Sequence, residues 1–581
     1  MRTNALFLTT LVINNLISKI MKKITLSLVA AILSIMCGFT YAQQVLIVNP
    51  GIGTLNTVID QYKGTRIYQL KAGEWYQLSK PIENVGFDLQ IIGEVPANNE
   101  IPATLQTNYD VTNATFNNMF SAKGNLTLKN IYFVNCDLNS SVANEFIVSQ
   151  ITGNRITIDK CVLHPSGVAT TIHDVAGNSK TYFTNNLAVD FGHQSSPNDG
   201  HFFVYGGAGL VGLDSLLVEN NTFVCMGMDM FSGSFADSKH NYVNFNHNTF
   251  CMTKSQIDWA VLKNEEYWTN NLFWNAQTQP YMNNWQPMPG GDAARPKPNL
   301  IFADTLPGEI LPSIRPCFVE YNSFGRQQGF YNLLTEMNTW GKANAKPLGY
   351  LYDLTWHNDS VNCREAQMFN STGFPKFKYG NTLKDIDPQW VDSKIYDHGT
   401  KFIAWSRPAS FIHGYGRAAT DFPPTSQWTQ YWWIPSGDLS NNSVWPLFNG
   451  VYSNPQTLTG SIENLPLGDL NWFPTQKALW LSKKPQIEAH IKAGNTDKIS
   501  LTAISEIIQQ STMVYPNPAK NEIQVKGTIN PTIKIYSIDS RLLLNINGTN
   551  KVNVSTLKNG TYIISIETNT HSFVQKFIIQ K

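Results

Sequence analysis

The sequence predicts an all-β protein: a single-stranded right-handed parallel β-helix followed by a small C-terminal β-sandwich. Three observations predict it. Between about residues 120 and 330 a short phrase returns every 23 to 35 or so residues: alternating β residues, a polar pair, a large apolar residue, a turn. Charged residues make up only 15% of the chain, against about a quarter in ordinary domains. Asn, Gly, Thr and aromatics fill the difference, a composition for tight turns between strands. The last segment alternates Ile523/Val525, Ile533/Ile535 and Tyr562/Ile564/Ile566, the period of half-buried strands.

The N-terminus reads as an export signal. Met21-Lys22-Lys23 is a basic start, residues 24–36 are mainly apolar, and Thr40-Tyr41-Ala42 offers a small-residue cleavage site. Residues 1–42 are therefore expected to be a signal peptide starting at Met21, with Gln43 first in the mature chain. The apolar run is too short to span a bilayer, so no transmembrane anchor is expected. Removing Cys37 leaves Cys136, Cys161, Cys225, Cys251, Cys317 and Cys363. Export permits disulfides, but without a CxxC pair we favour buried thiols. A net charge of +1 disfavours nucleic acid as a partner. A monomer is expected.

The β-helix is expected over residues 43–335. Leu55, Val58, Ile59 and Tyr62 share one helical face, suiting a short helix that caps the first coil and hides its open edge. Residues 67–75 and 89–93 read as opening rungs. The phrase then recurs at 126–133, 156–162, 182–187, 217–223, 243–250, 268–273 and 319–324. One coil cannot bury its own face, so coils must stack, each strand about 4.8 Å above the last. Asparagines aligned at a bend can then bond their neighbours' amides, and Phe133, Phe223, Phe250 and Phe273 stack inside. The rival is a β-sandwich, whose strands come every 8–12 or so residues without such a phrase. Residues 336–500 read as an irregular Trp-rich extension closing the coil, 501–512 as a linker, and 513–581 as the sandwich.

Two resemblances can now be named. Met513-Val514-Tyr515-Pro516-Asn517-Pro518-Ala519, Gly560-Thr561-Tyr562-Ile563-Ile564 and the closing Lys576-Phe577-Ile578 resemble the C-terminal sorting domain of the type IX secretion system of Bacteroidetes. That implies a secreted or surface-bound protein, reaching its site through the periplasm, with the secretion machinery as partner of residues 513–581. Ser540 departs from a usual Gly. The Asn-anchored rungs, Asp387-Pro388-Gln389-Trp390-Val391-Asp392 and residues 407–414 resemble secreted pectate-lyase-like β-helix proteins. Residues 466–474, Pro-Leu-Gly-Asp-Leu-Asn-Trp-Phe-Pro, resemble a tail seen on such proteins.

That second resemblance implies a polysaccharide partner and suggests a lyase that cleaves uronic-acid glycans by β-elimination. The C5 proton beside the uronate carboxylate is weakly acidic. Such a site therefore neutralises the carboxylate, with Ca²⁺ or Arg, and sets a base within reach. Residues 258–266 are similar to the rung carrying metal acids and a basic Lys in alginate lyases and chondroitinase B. The Arg-His-Gly that follows in those enzymes is absent here. By this resemblance Lys263 is the base, and Asp258 and Glu265 hold calcium; Asp229, a further metal candidate, is expected one rung above His201 on the same face. His201, with His193 and Asp199, is a second catalytic candidate. Arg295 and Trp285 lie in the longest break, residues 275–316. Trp285, Tyr431, Trp432 and Trp433 offer flat faces for sugar rings. A two-carboxylate hydrolase, a non-catalytic glycan-binding or adhesive protein, and a structural spacer remain alternatives.

Overall fold

A computed structural model describes residues 44–499 and 513–581, apart from 65, 98–99, 109–114, 138–140, 165–169, 192–200, 206–211, 228–229, 234–238, 254–261, 277–310, 312, 345–368, 370, 416–446, 516, 527–530, 538–541 and 568–571. The signal region lies outside these residues, as does Cys363. The recurring phrase forms a parallel β-helix. Its first sheet has 11 strands, from Val45–Ile47 to Phe377–Gly380, and its second also has 11, from Gly51–Ile52 to Leu383–Lys384. The third has 6, from Ile82–Glu83 to Phe231–Gly233. Every pairing in these sheets is parallel and joins one coil to the next, as in Ile156–Leu126 and Ile156–Thr181.

The expected coil boundary at 335 is too early. Helix α2 (Gln328–Ala343) follows the strand Ser323–Gly325, and a further coil still stacks beyond it at 377–384. The phrase is degraded there, which is why the repeat alone stops short. Helix α1 (Thr54–Tyr62) caps the first coil, as its apolar spacing requires, and buries Leu55 and Ile59. Asn56 ties it down, accepting from the Ser79 amide at 2.9 Å and donating to Lys80 O at 3.0 Å. Tyr62 is not part of the buried face: it is 43% exposed, under the Arg66 guanidinium.

Inside the coil, alternation sends every second side chain inward, so equivalent residues stack. Phe223, Phe250, Phe273 and Phe324 form one column with centroids 5.2, 4.8 and 4.8 Å apart. Phe245 and Trp268 stack at 3.9 Å. Each buried ring contributes roughly 2–3 kcal/mol by area. Cys136, Cys161, Cys225, Cys251 and Cys317 are buried thiols, as expected. Burial pushes the Cys136 and Cys161 thiols up to about 12.

The bend between first and second sheets is a left-handed residue followed by an inward asparagine. Asn185, Asn220, His247, Asn270 and Tyr321 hold φ between 53° and 60°. After them, Asn186, Asn221, Asn248, Asn271 and Asn322 form a ladder, each amide donating to the next side-chain oxygen at 2.9–3.1 Å. That oxygen also accepts the lower residue's backbone N–H, and the second amide proton meets a carbonyl such as Val218 O. All ladder amides are thereby satisfied inside the coil.

The extension continues with α3 (Lys394–Tyr415) and α4 (Pro455–Leu458), and a strap then runs along this bend. Gly468 N donates to Asn270 O at 2.7 Å, and a Cβ on Gly468 would lie 2.4 Å from Thr249 Oγ1, so only glycine permits the approach. Glu463 meets His247 Nε2 at 2.5 Å, and Thr222 donates to the Asp469 carboxyl at 2.8 Å. Helix α5 (Pro474–Lys492) follows, with Lys484 paired to buried Glu219. Residues 513–579 form a sandwich of a 3-stranded and a 4-stranded antiparallel sheet around Ile523, Val525, Ile533, Ile535, Ile564 and Phe577.

Replacing Asn248 by Ala strands buried donors and acceptors on both neighbouring coils, each costing about 1–3 kcal/mol. We expect a loss of about 3–5 kcal/mol by denaturant unfolding; a loss below 1 kcal/mol refutes the ladder's role. Burial also pushes the Asp190 carboxyl up to about 6 and those of Glu320 and Asp469 up to about 7. Unfolded, these groups ionise near 4. Their favourable contribution is therefore complete below about pH 4 and lost as pH rises to about 7. Melting temperatures between pH 4 and 7.5 should fall less in Asp469→Asn than in the wild type; equal slopes refute this.

Candidate functional site: the outer face of the third sheet

The extension covers the second sheet's outer face, and the first sheet's only along its last coils. On the second sheet, Tyr132, Val189, Val224, Cys251, Leu272 and Trp274 form an apolar layer with Phe402, Trp390, Leu447 and Phe473 of the extension. On the first, Tyr267 and Phe318 pack with Leu470, Trp480 and Ile487 of the strap and α5. The third sheet keeps Asn118, Glu145, His173 and His201 partly exposed among mostly buried neighbours. Its strands are also entered and left by longer connections. Phe191 to His201 and Tyr205 to Ser215 are separated by 192–200 and 206–214, whereas the ladder bend uses pairs such as Asn185-Asn186. Long connections on a rigid scaffold are where sites are built.

The strands Glu145–Ser149 and Thr170–Asp174 lie side by side on this face. Glu145 Oε1 stands 2.7 Å from His173 Nδ1, with side chains 13% and 28% exposed. The carboxylate fixes the imidazole through Nδ1, an arrangement suited to proton transfer at Nε2. Along the same row, register places Asn118 beside Glu145, Glu145 beside Thr170 and Thr170 beside His201. A parallel row runs Glu83, Ser121, Val148, His173, Val204. Asn118 donates to Ser121 Oγ at 2.9 Å, and Lys123 pairs with Glu83 at 3.0 Å. Successive members of a row stand about 4.8 Å apart, so the face is a straight ruled strip.

The structure moves the centre of the site away from Lys263. That side chain is buried, its ammonium 2.8 Å from Glu266 Oε1, and Trp268 Nε1 donates to the same oxygen at 2.8 Å. It lies beside His240 in register, whose imidazole burial holds down to about 3. Freeing a buried ion pair costs several kcal/mol, so Lys263 is not available as base to an external polymer. Glu265 is only half-buried, lies beside Tyr242 in register and accepts from Tyr267 OH at 3.4 Å, apart from the third-sheet face. Among the described residues no three His, Cys, Asp or Glu side chains assemble as a metal site. Of the expected calcium set only Glu265 is among the described residues. Asp258, Asp229, Arg295, Trp285, Tyr431, Trp432, Trp433, His193 and Asp199 lie outside the described residues.

His201 is the candidate that the fold places on this strip, half-buried at the start of the strand His201–Tyr205. Glu145 and His173 were missed by sequence reasoning. Their separation of 28 residues is one coil repeat, which was the available signal. Neither belongs to a local motif, and only the register makes them neighbours.

Residues 513–580, the antiparallel sandwich, match the family described as secretion system C-terminal sorting domain. The chain carries a type IX sorting domain. It is therefore exported by that system to the cell surface or beyond, and engages the secretion machinery through this domain. No described helix is long and apolar enough to cross a membrane. No curated protein matches the chain.

A chain lacking residues 513–581 should accumulate in the periplasm. Immunoblots of periplasm, surface and medium check this, and undiminished surface or medium protein would count against the sorting role.

Proposed function

We propose that this exported β-helix engages an extended polysaccharide along the third sheet, and that it is a lyase cleaving uronic-acid glycan by β-elimination. The observation that carries the reading is the partly exposed Glu145–His173 pair on a ruled strip. His173 Nε2 takes the C5 proton. The electron pair left on C5 forms the C4–C5 double bond as the C4–O bond breaks, and the leaving oxygen takes up a proton from solvent. His201, on the Glu145 row, faces the uronate carboxylate and donates a hydrogen bond to it. Elimination is favoured over hydrolysis because hydrolysis calls for two carboxyl groups flanking the bond. Here Glu145 is committed to His173, and Glu83 to Lys123.

Incubating the protein with a panel of uronans should raise absorbance near 235 nm, roughly where unsaturated uronates absorb. His173→Ala should lower the rate by about 10²–10⁴-fold, and Lys263→Met should lower it only as far as it lowers stability. Binding without any absorbance change, equal in both variants, would instead favour a non-catalytic glycan-binding protein.

A further inference from the structure

A second feature lies at the N-terminal end of the same strip. A groove of about 350 Å³ opens between α1 and the first strand of the third sheet, lined by Ile59, Lys63, Lys80, Glu83, Val85 and Phe87 among others. That size falls within the roughly 300–1,000 Å³ that holds small ligands. Its floor is apolar: Ile59 and Ile82 are buried, Phe87 packs partly on the core, and Val85 is 63% exposed. Its rim is charged, and both acids on it are already matched. Lys80 pairs with Asp60 at 2.6 Å and Lys123 with Glu83 at 3.0 Å. Lys63, exposed at the end of α1, makes no ion pair among the described residues. The groove thus combines an apolar platform with one uncompensated cation.

Glu83 belongs to both places. It lines the groove and begins the row that runs through Ser121 and Val148 to His173. Three coil steps separate Glu83 from His173, roughly 14 Å at the parallel-strand spacing. A polymer lying along the strip and reaching past Glu83 enters the groove. Hydroxyl-bearing rings present an apolar C–H face that packs on side chains such as Val85 and Phe87. An ammonium at the rim selects a ring that also bears a carboxylate.

We propose that this groove is a distal subsite that holds one uronate residue of an anionic glycan, its carboxylate on Lys63 and its ring over Val85 and Phe87. The proposal rests on the third-sheet reading above and adds a second binding position for the polymer, remote from His173. It makes the protein sensitive to chain length, because a short fragment at His173 does not reach Lys63.

Isothermal titration of the mature full-length protein tests it, with a long uronan, the matching disaccharide and a neutral glycan of the same length. Lys63→Ala and Val85→Asp, both at exposed positions, should weaken the long uronan about tenfold, the loss expected for one charge-assisted contact. Lys63→Arg should bind like the wild type, and disaccharide cleavage should be unchanged in all three variants. If the long uronan binds Lys63→Ala and Val85→Asp as tightly as the wild type, the groove inference is overturned and the third-sheet reading stands. If the neutral glycan weakens equally in Lys63→Ala, the acidic class is overturned. If the wild type takes up no uronan, both readings fall together.

Discussion

The structure depends on one constraint: a parallel coil must repeat its path closely enough for each strand to bond the strand of the coil before it. The sharpest bend carries that requirement. Its left-handed residue turns the chain within two positions and points the next side chain inward, where no water can satisfy it. An asparagine amide meets the need, because it accepts a backbone N–H and donates twice, once to a carbonyl and once to the next amide. Asn186 through Asn322 thereby keep consecutive coils in register.

From that register the arrangement of surfaces follows. Stacked phenylalanines fill the interior because equivalent positions coincide from coil to coil. The strap of residues 461–474 uses the outward groups of the same bend, Asn270 O, Thr249 Oγ1 and Thr222 Oγ1, as its docking points. On the third sheet, Asn118, Glu145, His173 and His201 keep part of their surface exposed. There the register that aligns the core also aligns Glu145 with His173.

Legibility differed between fold and site for a physical reason. Asn221, Asn248 and Asn271 announce themselves because the same chemical need recurs over five consecutive ladder positions, Asn186 to Asn322, and selects the same residue at each. The sorting sandwich was readable from its alternation and its motifs. A pair of ionisable side chains that meets only across coils answers a need that arises once. Glu145 and His173 sit in ordinary-looking strands, Glu145-Phe146-Ile147-Val148-Ser149 and Thr170-Thr171-Ile172-His173-Asp174. Lys263 showed the opposite case: beside Glu265 and Glu266 it reads as a site, yet the extended strand Leu262–Thr269 carries it under cover, where Glu266 neutralises it.

By itself the sequence determined that strands stack in parallel, that asparagines line their bend, that a helix caps the first coil, and that the protein leaves the cell. Those are properties of local pattern, repeated or self-contained, and short-range chemistry decides them. Tertiary structure alone decided which surfaces are covered, where the coil ends, and which ionisable groups meet. Those outcomes depend on what packs over each surface, and on register across coils, where a shift of one residue sends a side chain to the opposite face.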